Sequence, residues 1–135
     1  MERLDKKITA VSNIRMSQKD AHYGGNLVDG AQLLHLIGDV ATELSIKYDG
    51  DEGLLLKYNY VNFYLPVYSG DYVKVIGELT EKGNTSRKME FTVYKTVTTR
   101  PDINDSAADA IEEPVVVCRA ELIGVTKEEL KRKNI

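Results

Sequence analysis

The sequence lacks several features that define whole classes of protein: its 135 residues include one cysteine, three prolines, two histidines and no tryptophan. The lone cysteine, Cys118, excludes an internal disulfide and cannot form a cysteine-rich metal site alone. The longest wholly apolar runs, Leu54–Leu56 and Val115–Cys118, are far shorter than the roughly 20 residues of a membrane-spanning helix. The charged start, Met1–Lys7, has no apolar segment of the kind that a signal peptide needs. We therefore expect a cytoplasmic protein with no membrane partner.

An excess of positive charge is also missing, because 18 Lys and Arg residues face 21 Asp and Glu residues, for a net charge of -3. No basic stripe with interleaved aromatic residues occurs, so nucleic acid is not an expected partner. The composition is that of an ordinary globular protein, 42% hydrophobic and 29% charged. With typical domains of roughly 150 residues, we expect a single domain over 1–135 that ends in a charged tail or short helix over 127–135.

The apolar residues of one segment recur at three- and four-residue steps, which is the spacing of one helix face. These residues are Leu33, Ile37, Val40, Ala41 and Leu44, and they predict a helix over 28–47. Segments rich in Val, Ile, Thr and Tyr indicate strands. The predicted strands cover 7–16, 54–65, 71–82, 85–98 and 114–126.

The element order is a strand, a long helix and four further strands, which we expect to form an antiparallel meander. Gly83-Asn84 is predicted to be a hairpin turn, and the polar segment 100–113 is predicted to be a long loop. A single helix of this length buries its apolar face best against a curved sheet. The predicted fold class is therefore α+β, with an antiparallel curved sheet wrapped around one long central helix.

Several stretches of the sequence carry a resemblance to a known family. A glycine-rich loop enters the helix, and the runs Tyr64–Asp71 and Gly83–Ser86 lead into strands, as in the hot-dog fold of acyl-CoA thioesterases and dehydratases. The longer runs Lys19–Ala31 and Gly38–Leu44 resemble the small β-aminoacyl-CoA ammonia-lyases. The runs Gly83–Lys88 and Asp105–Asp109 are similar to those members of the family that act on 3-aminobutyryl-CoA in lysine fermentation. His22 stands where many hot-dog thioesterases have asparagine, and the final histidine of the hydratase pattern is absent.

The resemblance implies a lyase that reversibly eliminates ammonia from a 3-aminoacyl-CoA, such as 3-aminobutyryl-CoA, to give the enoyl-CoA, here crotonyl-CoA. Coenzyme A is part of the acyl-CoA substrate, and the reaction demands no metal or redox cofactor. Hot-dog sheets commonly join edge to edge, which implies a homo-oligomer, at least a dimer, with active sites between protomers. Two other functions stay open on the same fold: hydrolysis of an acyl-CoA thioester, and non-catalytic binding of acyl-CoA by a sensor.

Ammonia elimination needs a base for the α-proton, donors for the developing enolate oxygen and anionic groups for the β-ammonium. His35, Asp39 and Glu43 follow one another at four-residue steps and therefore share the helix face opposite the apolar one. Such a face is usually only solvated. The resemblance to hot-dog enzymes favours Asp39 as the base, with Glu43 second for that role or as the ligand of the ammonium.

The loop before the helix offers further candidate contacts for the acyl group. A helix N-terminus presents free N–H groups and a positive dipole end to an enolate oxygen. Glycine there leaves room for a thioester to approach the backbone, or simply shapes a tight turn. The candidate residues are His22 as a proton carrier or a loop histidine bonded to the backbone, Asp20 and Asn26 as amine ligands or turn residues, Tyr23 in the acyl pocket or simply packed, and Gly25 and Gly30 beside the thioester.

The hairpin after the third strand is a candidate site for coenzyme A. Asn84, Ser86, Arg87 and Lys88 are predicted to bind its phosphates, because Arg pairs bidentately with phosphate. The alternative for the two cations is a solvated strand end. Cys118 lies in an apolar strand segment and is predicted to be a core residue rather than a nucleophile.

Overall fold

One 20-residue helix, α1 (Gly30–Asp49), packs against an antiparallel sheet in a computed structural model that describes residues 1–132. Its buried side chains include Leu33, Ile37, Val40 and Leu44, so the predicted apolar face is confirmed. The helix begins and ends two residues later than predicted. It ends at Gly50, which adopts the left-handed φ of 69° and donates its N–H to the carbonyl oxygen of Ile46.

Five strands form the sheet, and all of them were predicted, with different ends. They are β1 (Glu2–Arg15), β2 (Leu54–Phe63), β3 (Tyr72–Lys82), β4 (Ser86–Thr99) and β5 (Ala108–Val125). The strand β1 begins five residues earlier than predicted, since Glu2 and Arg3 pair with Lys82 and Glu81 of β3. The strand β5 begins six residues earlier, so the predicted loop 100–113 is confined to 100–107.

The predicted four-strand meander is wrong in one strand. The order across the sheet is β1-β3-β4-β5-β2, so β3, β4 and β5 form a meander, whereas β2 pairs with β5 at the far edge. The segment 64–71 therefore carries the chain from one side of the sheet to the other. Periodicity marks where a strand lies in the sequence, but the neighbour of a strand depends on residues far away in the chain.

The core lies between α1 and the inner face of the sheet. Both the helix and the sheet contribute fully buried side chains, among them Ile37, Leu44, Val75, Val93 and Val117. Cys118 is also buried there, and burial raises the pKa of its thiol to about 11. A core thiol held in its protonated form is a poor nucleophile, so the prediction of a core role is confirmed.

The chain end after β5 contains a short 3-10 turn, Glu128–Leu130, which confirms a short helical element in this segment. The backbone N–H of Arg132 donates to the carbonyl oxygen of Asp49 at 2.8 Å, which ties the segment to the end of α1. The remaining residues of the predicted tail, 133–135, lie outside the described residues. Within residues 1–132, no helix is long and apolar enough to cross a membrane.

Candidate active site

The loop that precedes α1 is held by backbone hydrogen bonds to the segment between β2 and β3. The N–H of Val28 donates to the carbonyl oxygen of Val67 at 2.8 Å, and the N–H of Ser69 donates to that of Asn26 at 2.9 Å. Gly25 and Asn26 adopt positive φ values of 70° and 62°, which explains the glycine at the first of these positions. A cleft of about 1050 Å³ opens beside them and includes Tyr68 in its wall.

A buried ion pair beneath this cleft was missed by sequence reasoning. Asp71 is fully buried, and its Oδ2 atom lies 3.1 Å from Lys95 Nζ and accepts the N–H of Tyr68 at 2.8 Å. Its Oδ1 atom accepts the N–H of Thr99 at 2.8 Å. One carboxylate thus fixes both the segment that holds the loop and the end of β4. The two partners lie 24 positions apart in the sequence, and no local spacing indicates the pair.

The loop residues predicted to touch the substrate lie at one end of the molecule, and their observed contacts are within the loop and with the segment between β2 and β3. The rings of His22 and Tyr23 meet edge to face, with centroids 5.1 Å apart, and both side chains are exposed. Asp20 accepts the N–H of Ser17 at 2.7 Å and its hydroxyl at 3.1 Å, so this carboxylate shapes the turn. Asn26 is exposed and stays a candidate ligand of the amine.

Gly30 is the first residue of α1, but a side chain of this protein already occupies the space beside it. A Cβ atom at this position would lie 2.8 Å from the ring of Phe63 on β2. In the single chain, the ring of Phe63 therefore makes the close contact that glycine permits at this position. A larger residue at Gly30 would displace this ring and would not report cleanly on thioester binding.

The acidic helix face points away from the sheet. The side chain of Asp39 is 70% exposed and that of Glu43 is 50% exposed, so neither carboxylate is enclosed within one chain. Asp39 lies 3.8 Å from His35 Nε2, and Glu43 lies 3.1 Å from Lys47 Nζ. Lys47 in turn donates to the carbonyl oxygen of Thr9 on β1. Lys47 therefore lies on the flank of α1 that faces β1.

The two cations of the hairpin, which the sequence predicts to bind the phosphates of CoA, point to opposite faces of the sheet. Adjacent residues of a strand point to opposite faces of a sheet, so Arg87 lies on the helix side and Lys88 on the outer side. The guanidinium of Arg87, only 3% exposed, pairs bidentately with Asp49 at the end of α1, with both distances 2.9 Å. Its Nη1 atom donates to the carbonyl oxygens of Gly83 and Ser86.

Lys88 is paired on the outer face instead. Its Nζ atom lies 2.9 Å from Glu81 and 3.4 Å from Glu121. The hydrogen bond to Glu81 raises the pKa of Lys88, and the same bond lowers the pKa of Glu81. Asn84 and Ser86 form the predicted hairpin turn. The N–H of Gly83 donates to the carbonyl oxygen of Ser86, and the carbonyl oxygen of Asn84 accepts a hydrogen bond from Lys131 Nζ.

The hairpin and the loop before α1 lie at opposite ends of the helix. Arg87 contacts the last residue of α1, whereas Gly30 is its first residue. A helix of 20 residues is about 30 Å long. The predicted acyl-binding and CoA-binding residues therefore do not meet in one chain.

A small cavity on the other flank of α1 was also missed by sequence reasoning. It has a volume of about 70 Å³ and lies between α1, the edge strand β2 and strands β4 and β5. The helix contributes Gly38, Ala41, Thr42 and Ser45, and the turn after the helix contributes Glu52. The recurrence of small residues at three- and four-residue steps on α1 is the signal that points to it. Among residues 1–132, no group of three or more His, Cys, Asp or Glu side chains could hold a metal ion.

Comparison with known proteins first defines the class. One helix on a five-stranded antiparallel sheet of this order is the hot-dog fold. The acyl-CoA hydrolase of Staphylococcus aureus has this fold and superposes with a TM-score of 0.70 at 16% sequence identity, over 93% of this chain and 68% of the hydrolase chain. The β-alanyl-CoA:ammonia lyase of Clostridium propionicum superposes on 98% of this chain and 91% of its own, with a TM-score of 0.89 and 35% identity.

The sequence then gives the family. The chain is 57% identical to the 3-aminobutyryl-CoA ammonia lyase of Acetoanaerobium sticklandii over 124 aligned residues. The alignment covers 92% of this chain and 98% of that protein. The chain therefore belongs to the β-aminoacyl-CoA ammonia-lyase family. No family model matches the sequence.

Proposed function

We propose that the protein reversibly eliminates ammonia from 3-aminobutyryl-CoA to give crotonyl-CoA and ammonium. The observation that carries this proposal is the 57% identity to a lyase named for that substrate over almost the whole of both chains. The hot-dog neighbours of lower identity include acyl-CoA hydrolases, and their likeness supports the fold alone. A cytoplasmic location is part of the proposal.

The reaction balances without an external oxidant or reductant. A base removes the α-proton beside the thioester carbonyl, and the C–H electron pair enters the enolate. The enolate forms the Cα–Cβ double bond as the C–N bond breaks, and the nitrogen leaves with the C–N electron pair as ammonia. The protonated base then gives its proton to ammonia, which leaves as ammonium and restores the base.

The helix and the loop before it supply groups that suit these steps. The first N–H groups of α1 have no partner within the helix, and those of a second copy can stabilise the enolate oxygen, an interaction that contributes about 3 kcal/mol per donor at comparable sites. Asp39 remains the proposed base, with Glu43 as the second choice. Because both are exposed in the single chain, this role requires a second copy of the protein to enclose them.

Incubation of the purified protein with crotonyl-CoA and ammonium tests the proposed reaction. The enoyl-thioester absorbance should fall while no free thiol appears, because ammonia adds across the double bond and the thioester stays intact. Incubation with 3-aminobutyryl-CoA should raise the same absorbance. Rapid release of free CoA thiol would instead show a thioesterase, and tight binding of both thioesters without turnover would show a sensor.

The edge strand β2 is the surface that we propose joins two copies. Three consecutive leucines, Leu54–Leu56, are exposed on it, together with Phe63 and Tyr60. The opposite edge, β1, carries charged residues over Glu2–Lys7, which discourage strand pairing. An apolar edge strand that is open in the single chain favours an edge-to-edge homodimer through β2.

Replacement of Leu56 by aspartate tests this interface. Leu56 is 62% exposed and does not line the small cavity, so the variant should keep its fold. We expect sedimentation or size-exclusion analysis to show the mass of a single chain, because a charge on the edge opposes pairing with a second strand. Ile103→Asp, a change at a similarly exposed residue of the 100–107 loop, should keep the wild-type mass. An unchanged mass for Leu56→Asp would place the interface elsewhere.

A further inference from the structure

The small cavity beside α1 is built from both apolar and polar groups. Its apolar wall comes from Leu54 and Leu55 on β2, Met89 on β4 and Leu122 on β5. Its polar lining residues are Glu52, Tyr58 and Ser45. Burial raises the pKa of Tyr58, with a smaller contribution from Cys118, so this phenol stays a neutral donor at physiological pH.

Gly38 keeps this cavity open. It lies in the interior of α1, where glycine costs about 1 kcal/mol relative to alanine. No atom lies within 4 Å of the position that a Cβ would take, so packing against the sheet does not require glycine here. A residue that lowers helix stability and borders empty space at a cavity wall points to a role outside folding.

A second observation concerns the inner wall, at Gly53. A Cβ at Gly53 would lie 3.1 Å from Ser45 Oγ and 3.2 Å from Thr126 Oγ1. Thr126 is 1% exposed, and its hydroxyl is the one buried side-chain polar atom without a hydrogen-bond partner among residues 1–132. Buried polar atoms are normally paired, so an unpaired hydroxyl beside the wall is unusual for a region that serves packing alone.

We propose that this cavity binds the 3-aminoacyl end of the thioester, with the terminal methyl group against Gly38 and the β-ammonium at the Glu52 carboxylate. This inference rests on the proposed function and assigns the acyl site that the sequence left open. A volume of about 70 Å³ accommodates roughly two groups of the size of a water molecule or a methyl group. The cavity thus fits the two terminal groups of the 3-aminobutyryl end, its methyl and its ammonium, and excludes long acyl chains.

The Gly38→Ala variant tests the methyl site, with two substrates compared. The added methyl group should lower kcat/KM for 3-aminobutyryl-CoA by about tenfold or more, since one methyl in a close-fitting pocket changes selectivity by this amount. The kcat/KM for β-alanyl-CoA, which lacks the terminal methyl, should stay within about twofold. The melting temperature should not fall, because alanine favours the helix and meets no neighbour.

The Glu52→Gln variant tests the ammonium site by binding. Calorimetric affinity for 3-aminobutyryl-CoA should fall about tenfold, while the affinity for butyryl-CoA, which has no amine, should not change. Asp51→Asn is the matched control, because Asp51 lies next to Glu52 but bonds to the N–H of Gly53 within the turn and does not line the cavity.

The outcomes separate the two proposals. If the wild-type protein eliminates ammonia but Gly38→Ala affects both substrates equally or neither, the cavity assignment is overturned and the proposed function stands. Equal loss of affinity for both thioesters in Glu52→Gln would also overturn it. If the wild-type protein shows no elimination, the proposed function fails, and binding of butyryl-CoA to Gly38→Ala at wild-type affinity would then overturn the cavity as an acyl site.

Discussion

Replacement of Asp39 by asparagine should lower kcat for ammonia elimination by about 10²–10⁴-fold, the usual contribution of a positioned general base. The fold should be unaffected, because the side chain is 70% exposed and its observed partner is His35 at 3.8 Å on the same helix face. Stopped-flow absorbance of the enoyl thioester gives kcat, and thermal unfolding gives the stability. Glu43→Gln should lose less activity, since Asp39 is the first choice for the base. Near-normal activity of Asp39→Asn would remove Asp39 from the role of base.

Replacement of Arg87 by methionine should lower the free energy of unfolding by about 3–5 kcal/mol, the usual cost of removing one partner from a buried ion pair. Arg87 and Asp49 are 3% and 5% exposed, and the variant leaves the Asp49 carboxylate buried without its bidentate partner. Denaturant titration at neutral pH measures the loss. The effect is large because this pair joins the β3–β4 hairpin to the end of α1.

Two further variants control this prediction. Lys88→Met, one position along β4, should cost at most about 1 kcal/mol, since that lysine is partly exposed and its ion pairs lie on the outer face. The double variant Arg87→Met/Asp49→Leu should recover most of the lost stability, because no unpaired charge remains. A stable Arg87→Met protein with a raised KM for CoA thioesters would instead support the sequence-based prediction that Arg87 contacts the phosphates of CoA.

Local sequence features predicted the elements of the fold well, because each one depends on neighbouring residues. The apolar residues from Leu33 to Leu44 recur at the helical period, and Gly83-Asn84 forms the predicted hairpin turn. The place of β2 in the sheet was predicted wrongly, because it depends on residues far away in the sequence. Its leucines and aromatic residues indicate a strand, but its partner, β5, lies more than fifty residues further along the chain.

The candidate site divides in the same way. The runs that resemble the ammonia-lyases indicated the family, and the comparison with the A. sticklandii enzyme confirmed it. The residue roles were harder to predict, because Arg87 and Lys88 are adjacent in the sequence yet lie on opposite faces of the sheet. Glu52 looked like an ordinary turn residue until the fold placed it at the wall of a cavity.

The sequence by itself therefore determined the helix, the five strands, the protein class and the family, since these follow from residue periodicity and from matching runs of residues. The tertiary structure alone decided which strand lies at each edge, which charges are paired in the interior and where a cavity opens beside the helix. Each of these depends on contacts between residues far apart in the chain, and a strand or helix acquires such contacts only when the whole sheet has formed.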